Sequence, residues 1–153
     1  METDKLRPYV PWLYGAAGYN LVWGFINTVF PRRVLRLLRM TPPERLPLWQ
    51  VIGMMVAVYA PAYWWAARNP RRHPHVVAVG LLGKVLGPIG YAWSLKAARL
   101  PKRFGWVILT NDLIWWPALG AYIVRSAEGA GGWKAFLSGS TPEHPSAGSR
   151  AGS

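Results

Sequence analysis

From Tyr9 onward the chain alternates between long apolar stretches and short blocks of charge. A helix needs about 20 mostly apolar residues to cross about 30 Å of hydrocarbon. Four stretches reach that length: Tyr9 to Phe30, Leu48 to Ala67, Val76 to Leu95 and Phe104 to Val124. The first two contain no charged residue, the third contains only Lys84 and the fourth only Asp112. A water-soluble helical assembly keeps a polar face on each helix, and none of these stretches has one. The pattern therefore predicts an all-α membrane protein: four transmembrane helices in a compact bundle over residues 1–125, followed by a flexible Gly-, Ser- and Pro-rich tail over 126–153.

The punctuation supports these spans. Three exits share one motif: Phe30-Pro31-Arg32-Arg33, Asn69-Pro70-Arg71-Arg72 and Leu100-Pro101-Lys102-Arg103. Proline cannot continue a helix, and a basic pair suits both the negative helix end and lipid phosphate. Trp12, Trp49, Trp64, Trp65, Trp93 and Trp106 fall near span ends, where aromatic belts sit. Between spans one and two, Arg32, Arg33, Arg36 and Arg39 share one helical face, with Val34, Leu35, Leu37 and Leu38 opposite. This reads as a short amphipathic helix in the headgroup layer; an amphipathic turn packed on the bundle is the alternative.

Composition then narrows the partners. Eighteen Lys and Arg against six Asp and Glu give a net charge of +12. In a soluble chain that would suggest nucleic acid. Here the basic residues sit at the ends of apolar runs, so the expected partners are anionic lipid headgroups, contacted by Arg32, Arg33, Arg36, Arg39, Arg71, Arg72, Lys102 and Arg103, and no nucleic acid. Basic residues are almost balanced between the two sides. The arginine-rich first loop favours a bacterial cytoplasmic membrane with that loop inside and both termini periplasmic. The acidic and basic residues ahead of Tyr9, with no clear small-residue cleavage site, mark the first stretch as a retained span.

The spans also carry a polar centre. Gly80, Gly83, Gly87 and Gly90 recur on one face of the third span, and Ala17, Asn20, Gly24 and Asn27 at matching intervals in the first. Small residues let backbones approach closely, which predicts that spans one and three present these faces to the interior. Lys84 lies about 12 Å inside its span and Asp112 about 18 Å from the same membrane face, an offset of ~6 Å that a lysine stem covers. An unpaired charge at that depth costs about 3 kcal/mol, so a Lys84–Asp112 pair is expected, with Asn20, Tyr59 and Asn111 completing the network. Such a pair either fixes helix register or serves a proton or ion path.

Catalytic chemistry is absent from the pattern. With no cysteine, thiolate sites and disulfides are excluded. His73, His75 and His144 lie outside the spans, so no span offers a histidine to a haem, and His73-Pro74-His75 lacks nearby carboxylates for a metal. No nucleophile–base set or phosphate loop appears. The expectation is no enzyme, no cofactor and no metal.

Three stretches together carry a resemblance: Trp23-Gly24-Phe25-Ile26-Asn27 leading into Phe30-Pro31, Leu82-Gly83-Lys84 with Gly87-Pro88-Ile89-Gly90, and Asn111-Asp112-Leu113-Ile114-Trp115-Trp116-Pro117. They resemble small bacterial four-span membrane proteins in the style of the DoxX-like group, across about residues 9 to 124. The resemblance implies a four-span bundle with Lys84, Asn111 and Asp112 as group features, and it implies no activity.

Three functional readings follow. One is a non-catalytic accessory subunit of a larger bacterial membrane complex, photosynthetic or respiratory, whose partners are other membrane subunits. Another is a small transporter or proton-coupled permease gated by Lys84 and Asp112. A lipid or quinone binder between Trp23, Trp115 and Trp116 is a third.

Overall fold

A computed structural model describes residues 5–40, 46–97 and 99–139. Among them are seven α-helices and three short 3₁₀ turns, with no strand. The helices are α1 (Val10–Val29), α2 (Pro31–Leu37), α3 (Leu46–Arg68), α4 (Pro74–Lys96), α5 (Gly105–Asn111), α6 (Trp116–Gly129) and α7 (Trp133–Ser138). Proline sets several boundaries. Pro11, Pro31, Pro74 and Pro117 each fall in a first helical turn, where the missing N–H is harmless.

Three segments are long and apolar enough to cross a membrane: Leu46–Arg68, Pro74–Lys96 and the broken run Lys102–Gly129. They match the second, third and fourth apolar stretches to within a few residues. α1 has the length, with 20 residues and no charge, but is not one of the three. Asn20, Asn27 and its tyrosines and tryptophans dilute its hydropathy.

The most extensive contact is between antiparallel α1 and α3. Its centre is a backbone crossing at Gly24 and Gly53. A Cβ added to Gly24 would meet Gly53 O at 2.6 Å and Ala57 N at 2.7 Å, and one added to Gly53 would meet Gly24 O at 2.9 Å. Polar groups flank the crossing. Asn27 Oδ1 accepts from Trp49 Nε1 at 3.0 Å, and Gln50 Nε2 donates to Thr28 O at 2.8 Å. The tight small-residue seam of the first stretch is thus with the second. Helix partnership depends on topology, which glycine spacing within one segment does not encode.

Two apolar clusters sandwich the middle of the molecule. The larger gathers Leu13, Tyr63, Val77, Leu119, Tyr122 and Phe136; the smaller gathers Val34, Leu38 and Val107 with Trp23, Trp49 and Phe104.

Two sequence expectations change. α2 is amphipathic, with all four arginines of 32–39 exposed, but it rests on the protein through buried Val34, Leu35 and Leu38. Leu37, assigned to the apolar face, is 79% exposed, because at 3.6 residues per turn it points roughly 100° away from the centre of the face formed by Val34, Leu35 and Leu38. Residues 126–139, expected to open a loose tail, are instead the end of α6 and all of α7. Phe136 is buried, stacks on His75 at 4.5 Å, and its carbonyl contacts His75 Nε2 at 2.6 Å. Apolar Trp133, Phe136 and Leu137 outweigh the glycines around them. The rest of the expected tail, 140–153, and Arg45 of the first loop lie outside the described residues.

Candidate functional site: a polar layer at a helix break

The last membrane-length segment is not one continuous helix. α5 stops at Asn111, Asp112 adopts φ −119° and ψ −66°, and a 3₁₀ turn over Leu113–Trp115 leads into α6. Pro117 causes part of this: it has no N–H for the carbonyl four residues back, and its ring crowds that carbonyl. Trp115 N–H turns to Asp112 O at 3.2 Å, leaving Asn111 O without its helical donor. In hydrocarbon such a break persists only where other groups satisfy the backbone.

Two side chains do so at the break, and a third returns a bond to α4. Lys84 Nζ donates to Asn111 O at 2.5 Å, and Trp115 Nε1 to Thr110 O at 3.0 Å. Trp116 Nε1 reaches back to Lys84 O at 3.2 Å. The result is a reciprocal clasp between α4 and the break. Lys84 is 5% exposed and Asp112 4% exposed. Asp112 Oδ1 accepts from Asn111 Nδ2 at 2.8 Å, while Oδ2 lies where a Cβ on Gly87 would come within 2.6 Å. The Lys84 ammonium also sits 5.8 Å from the Trp115 ring centroid, a cation–π distance.

Lys84, Asn111 and Asp112 are therefore brought together, with one change of partner. Lysine bonds the backbone carbonyl of Asn111, and the Lys84–Asp112 interaction is one of neighbouring charges, without an ion-pair contact. Asn20 is buried but donates within its own helix, to Ala16 O at 2.7 Å. Tyr59 is half-buried beside Tyr63, with ring centroids 6.5 Å apart. Tyr63 was missed by sequence reasoning. It is 1% exposed and its hydroxyl lies over Gly80, where an added Cβ would clash with it. Its place one turn beyond Tyr59 was the available signal. Tyr63 Oη and Asn111 Oδ1 are buried without a hydrogen-bond partner among the described residues. Tyr19 joins from α1, donating to Thr110 Oγ1 at 3.1 Å.

The glycine face of α4 divides in two. Gly80 and Gly87 receive Tyr63 and Asp112, but Gly83 is exposed with only Tyr59 Oη at 4.0 Å, and Gly90 is exposed with nothing within 4 Å. Arg71, Arg72, Lys102 and Arg103 are exposed at the loops. Of the tryptophans weighed as a lipid-binding set, Trp23 stacks on Tyr19, Trp115 is buried with its ring 5.5 Å from that of Tyr19, and Trp116 is tied to α4. Two open surface clefts, one at Val29–Gln50 and one at Ile89–Ala97, do not touch Lys84 or Asp112.

No family model matches the chain, and no curated protein or solved structure is significantly similar to it.

Proposed function

We propose that the protein is a four-span helical subunit of a larger membrane assembly, acting by docking and stabilisation and not by catalysis. α1 joins the three membrane-length segments as the remaining span of an up–down bundle. Its antiparallel seam with α3, and the edge contact of Tyr9, just ahead of α1, with Tyr122 of α6 at 6.3 Å, support this placement. The observation that carries the reading is how the buried charges are used. Lys84 and Asp112 are engaged in holding the helix break, through Asn111 O and Asn111 Nδ2, so they have a structural task of their own.

The outer surface supports docking. Only 17% of the α4 span is buried within the chain, and its outward face combines bare Gly83 and Gly90 with Leu82, Leu86, Ile89 and Trp93. Small residues facing outward from a membrane helix permit close approach by another helix, whereas lipid contact alone gives glycine no advantage. The parent assembly is a complex of the bacterial cytoplasmic membrane, photosynthetic or respiratory, with the α2 loop inside and both termini outside. The resemblance to DoxX-like proteins agrees with the span count and adds no activity.

Extraction of the tagged full chain in mild detergent tests this. The expected result is migration in a complex with defined, stoichiometric membrane subunits. Migration as a lone monomer, or proton or solute flux through the purified chain in vesicles that Asp112→Asn abolishes, would favour the small-transporter reading instead.

A further inference from the structure

We infer that the cleft formed by the end of α1, α2 and the start of α3 is a discrete site for one anionic phospholipid with a hydroxyl-bearing headgroup. This is independent of the docking reading. The cleft is about 400 Å³ and open to the surface, and Arg32, Arg33, Arg36 and Gln50 line it together with Val29 and Phe30.

The cationic side is preorganised and, among the described residues, uncompensated. α2 is held against the protein by Val34, Leu35 and Leu38, two of them under 7% exposed, so the three guanidinium groups project from a fixed platform. Arg32 and Arg36 are one turn apart and repel each other. None of the three has an acidic partner among the described residues. Arg33 is positioned over the Phe30 ring at 5.3 Å. Guanidinium forks pair bidentately with phosphate oxygens, and a bound phosphate would relieve the repulsion.

Gln50 adds selectivity. Its Nε2 is committed to Thr28 O at 2.8 Å, which leaves Oε1 as an acceptor at the cleft wall for a headgroup hydroxyl. The apolar surroundings identify a lipid and not a free phosphate. Val29 and Phe30 at the cleft are 49% and 42% exposed, and Phe25 and Val22 continue the exposed track along α1 at 57% and 58%. That track runs from the arginines into the span, as an acyl chain would. A free anion would leave it unused.

Native mass spectrometry of the full chain, titrated with phosphatidylglycerol, phosphatidylcholine or inorganic phosphate, tests the site. One phosphatidylglycerol should be retained and phosphatidylcholine should not. Arg32→Gln with Arg36→Gln should weaken retention about thirtyfold, the loss of two basic headgroup contacts. Lys96→Gln with Arg99→Gln removes the same charge from the exposed end of α4 and the loop after it and should leave retention unchanged. Equal weakening by both double variants would mean diffuse attraction, and equal retention of the two lipids would mean no headgroup recognition. Displacement of phosphatidylglycerol by millimolar phosphate would assign the cleft to a free anion. Any of these three results overturns the proposal.

Discussion

Gly24→Val should separate α1 from α3 and cost about 3 kcal/mol, the upper part of the range for overpacking a fitted interior. The added atoms would meet Gly53 O, Ala57 N and Ala57 Cβ, all within 2.7 Å of the first side-chain carbon. Two of these are backbone atoms in the middle of a helix, so no rotamer change relieves the clash. Moving the helices apart would also stretch the bonds from Trp49 to Asn27 and from Gln50 to Thr28. Gly18→Val, on the same helix but with nothing within 4 Å of its Cβ, is the control and should change stability by less than about 0.5 kcal/mol. Denaturant titration of the purified protein in detergent reads both. Similar losses for the two variants would show that α1 is sensitive to β-branching in general and that the crossing is unimportant.

The second large effect is expected at Lys84. Lys84→Met keeps the length and packing of the stem but removes the donor to Asn111 O and the positive neighbour of Asp112. Breaking one side of a buried charged arrangement costs about 3 kcal/mol, because the remaining groups stay buried without compensation. The helix break should then become the weakest part of the molecule, with faster amide exchange over residues 110–116. Adding Asp112→Asn to Lys84→Met removes the stranded charge and preserves an acceptor for Asn111 Nδ2. The double variant should therefore be more stable than the sum of the two single losses predicts, a coupling of about 1 kcal/mol or more in the same denaturation assay. Strict additivity would mean that the two charges act separately.

These two sites differ in how far the sequence disclosed them. The membrane-length segments were legible because charge is confined to short blocks and Pro31, Pro70 and Pro101 mark the exits, so hydropathy and proline chemistry agree. Lys84 and Asp112 stood out as the only charges in their stretches, and their depths predicted that they would meet. Their bonding was not legible. It depends on the break at Asp112, and the spacing of apolar residues does not say which carbonyl such a break frees. Gly53 and Ala57 gave no signal as the partners of Gly24, since nothing in a single apolar stretch states which neighbour it will face. Gly83 and Gly90 share spacing with Gly80 and Gly87, yet the slant of Tyr63 and Asp112 against α4 covers only two of the four. α7 was hidden by composition: glycine and serine on either side masked a short apolar turn that His75 and the main apolar cluster hold in place.

The central claim is that the outward face of α4 is built to meet another membrane protein. A photoreactive side chain placed at Gly90 in the full chain, irradiated in native membranes, tests it most directly, since the position is exposed with open space around it. Met55 on α3, 59% exposed, serves as a comparison on a different outer face. The account predicts one discrete, stoichiometric protein adduct from position 90 and only lipid adducts from position 55. Lipid adducts alone from both positions would contradict it.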